Sequence, residues 1–164
     1  MKIRLYCAAD LEELHRINED NVPAVGPLSC EALDVLISGS HVTFVAEDAG
    51  QIGGFLLGLV EGVDYGSLNY AWFCKRYPSF AYVDRIAVDA GFQGSGIGAL
   101  LYEALENHVA GSRPVLTCEV NSLPPTPGSL RFHKRLGFVE SGEQVFEPGK
   151  KAVVYLAKSL IQAS

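Results

Sequence analysis

The chain has 164 residues, of which 48% are apolar and 20% charged, and it carries a formal net charge of −6. That length suits one domain with its own core, and the acidic balance disfavours a basic nucleic-acid-binding surface. No apolar run approaches the ~18 residues of a membrane-spanning helix, and the start MKIRLYCAADLEEL lacks the apolar stretch of a signal peptide. Four widely spaced cysteines (Cys7, Cys30, Cys74, Cys118) include no C-x-x-C pair. They predict neither a metal site nor a disulfide framework, and read as reduced thiols of a cytoplasmic protein.

Residues 2–8 alternate and predict a strand. Asp10 is placed to cap a helix whose Leu11, Leu14 and Ile17 share one face. Residues 18–28, with Asn, Gly and two prolines, form a loop, and Ser29 opens a second helix with Leu33, Leu36 and Ile37 inward. Residues 41–47 and 51–60 read as a hairpin about the turn at 48–50. Residues 61–79 hold Tyr65, Tyr70, Trp72, Phe73 and Tyr77 among polar residues. So long a connection is usually functional or disordered; its aromatic content argues against disorder and leaves room for some helix.

A strand at 80–88 is followed by the strongest helical pattern in the chain. Ile97, Leu100, Leu101, Ala104, Leu105, His108 and Val109 recur at helical spacing, and Gly111 ends the run. A strand at 115–120, a Pro-rich loop at 123–128, a short helix at 129–136 and strands at 138–146 and 152–157 complete the chain. Strand–helix–strand in the middle implies a parallel pair, and the hairpins imply antiparallel pairs: a mixed-sheet α/β domain.

The segment Gln93-Gly94-Ser95-Gly96-Ile97-Gly98-Ala99 joins a strand to that strong helix. A tight turn without a ligand is one reading, though three glycines cost more chain entropy than a plain turn requires. A dinucleotide fold is a second: Gly94-x-Gly96-x-x-Ala99 fits its fingerprint, but residues 89–93 intervene between strand and glycines, and the unit sits in mid-chain. No Gly-Lys-Ser/Thr follows, so a nucleoside-triphosphate loop fails. The third reading is a pyrophosphate cradle at a helix start, where free N–H groups and the positive end of the helix dipole converge.

Ile86-Ala87-Val88-Asp89 followed by Gln93-Gly94-x-Gly96-x-Gly98 resembles motif A of the GNAT family of N-acetyltransferases. Ser129-x-x-Phe132-His133-x-x-x-Gly137-Phe138 resembles its motif B, and the element order is similar over nearly the whole chain. The resemblance implies a single domain over residues 1–164. Its fold would be a mostly antiparallel sheet whose central parallel pair splays around a coenzyme A slot, flanked by about four helices. It implies acetyl-CoA as cosubstrate and no metal. Main-chain groups of Ile86, Ala87 and Val88 would pair with pantetheine like an added strand. Gln93 and the N–H groups of Gly94, Ser95, Gly96, Ile97, Gly98 and Ala99 would hold the pyrophosphate. Asn121, Thr126, Ser129 and His133 would complete the cofactor side, and one N–H near Val88 would polarise the acetyl carbonyl.

Direct transfer needs a neutral amine. A lysine-like amine is neutral in only about one molecule per thousand at pH 7.4, a cost of roughly 4 kcal/mol that a general base helps supply. Glu119, in Cys118-Glu119-Val120, is the first candidate base, with a solvated or salt-bridged strand residue as the alternative. Asp84 and Tyr82 alternate with Ile86 along one strand face and are candidates for a water relay; Asp84 beside Arg85 reads equally as a surface feature. His133 stands where the family commonly has a tyrosine acid, and Thr126 where many members have asparagine. His15, His41 and His108 have no metal-ligand spacing.

The acceptor expected is a primary amine, on a small molecule or a peptide or protein, with no nucleic-acid or membrane partner and with a homodimer left open. The aromatic stretch at 61–79 reads either as substrate wall or as packing lid. A non-catalytic acyl-CoA-binding sensor or partner module is the alternative function.

Overall fold

Period-two alternation in the strands and helical spacing elsewhere sort the apolar residues onto the two faces of one sheet. The computed structural model describes residues 1–161. Its strands are β1 (Lys2–Leu5), β2 (Val42–Asp48), β3 (Gln51–Val60), β4 (Ala81–Val88), β5 (Val115–Leu123), β6 (Val139–Glu147) and β7 (Lys151–Ser159). Its helices are α1 (Leu11–Asp20), α2 (Cys30–Ser38), α3 (Leu68–Cys74), α4 (Ile97–Val109) and α5 (Pro127–Arg135). The strands lie in the order β1-β2-β3-β4-β5-β7-β6, antiparallel except for the central β4–β5 pair.

One face packs against α1, α2 and α3 through Leu14, Ile17, Leu33, Phe73, Tyr82 and Tyr155. The other packs against α4 and α5 through Leu56, Val83, Leu101, Leu105, Leu116 and Leu156. Each fully buried Leu or Phe contributes roughly 1.5–3 kcal/mol of hydrophobic stabilisation. The first turn of α4 sits low on the sheet because β3 is glycine there: a Cβ at Gly53 would lie 2.6 Å from the Ile97 side chain. That contact fixes the start of α4 beside the end of β4.

The flanking helices number five among the described residues, residues 61–79 supplying α3. Aromatic burial drives that helix: Tyr70 and Phe73 are 2% and 0% exposed, and Ser67 caps it by accepting from the Tyr70 N–H. Three expectations need correction. Asp10 does not cap α1, because Arg4 takes both its carboxylate oxygens at 2.8 and 2.9 Å.

The second correction concerns register. Leu57 pairs with Arg85 but Gly58 pairs with Val83, so Asp84 is the extra residue of a β-bulge. The bulge shifts the alternation by one: Tyr82 belongs to the α1–α3 face and Ile86 to the α4 face, not to one shared face. Lastly, Asp84 and Arg85 are not a surface feature; their side chains are 4% and 8% exposed and joined at 2.8 Å.

Candidate active site

The parallel pair β4–β5 is joined at only two positions, Ala81 with Leu116 and Tyr82 with Thr117. Beyond Tyr82 the strands diverge around a slot of about 500 Å3. Hydrogen bonding in an antiparallel ladder alternates along the strand. The Asp89 N–H donates to the Gly53 carbonyl at 2.8 Å, and the register there is unbroken from Gly54–Val88 to Leu57–Arg85. Residues 85, 87 and 89 therefore turn their N–H and C=O groups toward β3, while Ile86 and Val88 turn theirs toward the slot. The Val88 carbonyl accepts from the Asn21 and Gln93 side-chain amides, each at 3.2 Å.

At one end of the slot the chain turns into α4. Gly94 and Gly96 have φ of +77° and +84°, and a Cβ on either would meet nothing within 4 Å. No side chain caps α4, whose first N–H groups have no partner one turn back. The third glycine has another cause: a Cβ at Gly98 would lie 2.9 Å from the Phe132 ring, so Gly98 lets α5 close on α4.

Glu119 projects to the other face of the slot. Tyr82 Oη lies 2.8 and 2.7 Å from its two carboxylate oxygens, and Asn69 Nδ2 donates to Oε1 at 3.2 Å. Tyr155 Oη donates to Asn69 Oδ1 at 2.9 Å, which fixes that amide's orientation. Burial pushes the Glu119 carboxyl up to about 8; the Tyr82 hydrogen bond opposes the shift and the nearby Asp84 charge adds to it. Burial and the Glu119 charge push the Tyr82 phenol well above its ordinary value, so it stays a neutral donor. Asp84 is held by Arg85, which also donates to Asn18 Oδ1 at 2.9 Å and to the Gly26 carbonyl at 3.0 Å. That network ties α1 and the 21–29 loop to the bulge.

On the α4–α5 side, His133 is 4% exposed. Its Nδ1 lies 2.7 Å from the Ser129 carbonyl and its Nε2 2.6 Å from Tyr102 Oη. A carbonyl only accepts, so Nδ1 carries the proton, and the neutral ring accepts the Tyr102 hydroxyl at Nε2. Burial lowers the His133 pKa and favours that neutral form.

Of the expected residues, Asp84, Ile86, Glu119, Asn121, Thr126, Ser129 and His133 line the slot, with Val83, Arg85 and Tyr102. Tyr82, Ala87, Val88, Gln93, Gly94, Ser95, Gly96, Ile97, Gly98 and Ala99 are not among its lining residues; Tyr82 reaches it through Glu119, and the glycine turn follows the end of β4. Two side chains are engaged elsewhere. Thr126 Oγ1 donates to the Asn121 carbonyl at 2.7 Å, and Asn121 Nδ2 to the Pro23 carbonyl at 3.4 Å. Asn69, Tyr102, Tyr155 and Asn21 escaped the sequence reading. Tyr102 carried a signal, since Gly98, Tyr102, Leu105 and Val109 share a helix face; the others meet the site only through the fold. Among the described residues no His, Cys, Asp and Glu cluster has metal-binding geometry, and no helix is long and apolar enough to cross a membrane.

Solved structures with the same fold are numerous. The ribosomal-protein-S18-alanine N-acetyltransferase of Escherichia coli superposes with a TM-score of 0.78 at 20% identity, over 99% of this chain and 96% of that one. Ard1 of Thermoplasma volcanium gives 0.79 at 19%, over 98% of each chain. An aminoglycoside 6'-N-acetyltransferase complexed with coenzyme A gives 0.77 at 16%, over 100% of this chain and 99% of that one. No curated protein sequence matches this one. Residues 39–140, from the start of β2 to the start of β6, match the sequence profile of the Acetyltransferase (GNAT) domain, and the chain belongs to that family.

Proposed function

We propose that residues 1–164 form one N-acetyltransferase domain that moves an acetyl group from acetyl-CoA to a primary amine by direct attack in a ternary complex. The observation that carries this reading is the arrangement about the slot: an uncapped helix start and a free strand edge on one side, and a carboxyl with a value near 8 on the other. The residues fit an acyl-CoA. Ile86 offers its main-chain groups to a pantetheine arm, and the Val88 N–H is the donor for the acetyl carbonyl, the Val88 carbonyl being held by Asn21 and Gln93. The N–H groups at the start of α4 suit a pyrophosphate, and Gly94 and Gly96 leave room for it to approach.

Glu119 is the base. A carboxyl with a value near 8 is matched to an ammonium ion far better than an ordinary one and still ionises near neutral pH. It takes a proton from the incoming ammonium, leaving a neutral amine to attack the acetyl carbonyl; as the C–N bond forms the C–S bond breaks, and the second proton shed by the nitrogen balances the departing thiolate as thiol. Tyr82 holds the carboxylate in place. Asp84 acts on Glu119 through its charge and on the slot wall through Arg85. His133 keeps the Tyr102 hydroxyl oriented on the cofactor side. With Nδ1–H engaged by Ser129 and Nε2 accepting, it has no proton to give the leaving thiolate.

Calorimetry with acetyl-CoA tests the reading on wild type, Gly96→Glu and Ser95→Glu; the second variant adds the charge without straining a positive φ. Binding by wild type and its loss in both folded variants supports the cofactor site. Failure of folded wild type to bind overturns it. Release of CoA with amines separates the enzyme from a non-catalytic acyl-CoA-binding module, which would bind and never turn over.

A further inference from the structure

The aromatic stretch at 61–79 does more than fill the core. Trp72 of α3 stacks on Tyr155 of β7 with ring centroids 4.1 Å apart, and Arg76 covers the Trp72 ring at 3.8 Å. The bulged β6 makes way for it: a Cβ at Gly142 would lie 2.5 Å from the Trp72 ring. The α3 helix is thereby clamped onto the β7–β6 half of the sheet. Its Asn69 then stands between the Tyr155 hydroxyl and the Glu119 carboxylate.

Resting on the reading of Glu119 as the base, we propose that Asn69 is a positioning residue: α3 orients the Glu119 carboxylate toward the acceptor through the Asn69 amide, whose direction Tyr155 sets. The Tyr155 hydroxyl occupies Oδ1, so the amide has only Nδ2 to offer Glu119. With Oε1 engaged by Asn69 and both oxygens steadied by Tyr82, the remaining lone pairs of Oε2 are left for the slot. A donor at that place also favours the ionised carboxylate, the form a base needs.

The titratable groups nearest Glu119 are Tyr82 and Asp84 from β4, Tyr102 from α4, Cys118 beside it on β5 and Tyr155 from β7; Tyr65, His133, Lys150 and Lys151 also line the slot. Burial pushes these tyrosines and Cys118 upward, Tyr155 to about 12, so they stay neutral through the range tested.

The test measures kcat against pH for wild type, Asn69→Leu, Asn69→Asp and Tyr155→Phe with one amine. An NMR titration of isotopically labelled Glu carboxyls in each folded protein is run without substrates. Loss of a long hydrogen bond to a charged group moves the acid limb of Asn69→Leu up by about one pH unit. Activity below the limb then falls about tenfold, and the high-pH plateau stays within about threefold. Asn69→Asp moves the limb further, since two adjacent carboxylates resist joint ionisation. Tyr155→Phe frees the amide to rotate and moves the limb the same way by less. The acceptor's own ionisation is common to all four proteins and cancels. Rates that fall with limb and NMR titration unmoved would overturn the proposal, leaving Asn69 a packing residue. If no amine is acetylated, the NMR titration still decides, so its failure is distinct from failure of the function. If Asn69→Leu does not fold, Tyr155→Phe decides.

Discussion

Replacing Glu119 with glutamine separates catalysis from stability. The glutamine side chain resembles the protonated carboxyl in shape and charge, and its amide oxygen can still accept from Tyr82. As the general base is lost, kcat falls by about 10²–10⁴. Stability moves the other way at high pH. The Glu119 carboxyl is raised from 4.5 to about 8 in the folded protein. The stabilisation this group contributes is therefore fully present below its unfolded value and is lost as pH rises through about 8. At 1.36 kcal/mol per pH unit, the displacement corresponds to on the order of 5 kcal/mol, reduced where water reaches the slot. The substituted amide does not ionise, so Glu119→Gln keeps what wild type loses. For a chain of this size, 2–4 kcal/mol corresponds to a Tm difference on the order of 5–10 °C. The assay is calorimetric melting of both proteins at pH 6 and pH 9. The variant's advantage should grow from pH 6 to pH 9, by about 1.36 kcal/mol per pH unit until the folded carboxyl ionises near 8. Melting curves that shift with pH in parallel would refute the reasoning, because Glu119 would then ionise in the fold as it does unfolded.

Arg85→Met strands the Asp84 charge at the bulge and should cost about 3–5 kcal/mol, read as a lower urea midpoint at pH 7; adding Asp84→Leu should recover most of it. His133→Phe removes the acceptor of the Tyr102 hydroxyl, so it should cost about 1–3 kcal/mol in stability. It should keep kcat within about tenfold, with no new decline between pH 7 and 9. A loss beyond about a hundredfold in the folded variant would return His133 to the role of acid.

Where a physical rule acts over a few residues, the sequence is legible. The Ser29 cap, the hairpin about residues 48–50 and the α4 periodicity follow from local chemistry. The motifs around Gly94–Gly98 and His133 placed the cofactor side by resemblance. Glu119 was legible as a carboxylate on a strand, but its raised value depends on Tyr82 and Asp84 across the splay. The bulge at Asp84 was not legible, since one extra residue leaves no mark on composition yet reverses which face Ile86 presents. Asn69 and Tyr155 lie 86 positions apart and meet only because α3 packs on β7. Distance in sequence likewise hid Arg85 from Asn18 and Gly26.

The splay has a mechanical consequence. Strands β1–β4 and β5–β7 form two blades hinged at the two residue pairs of Ala81 and Tyr82, with α4 as the strap between them. Elsewhere in the sheet, neighbouring strands are stitched along most of their length. A pantetheine arm laid along Ile86 and Val88 would add the stitches the wedge lacks. The protein would then stiffen as it loads, and its amide protons along the wedge would slow their exchange before any acceptor arrives.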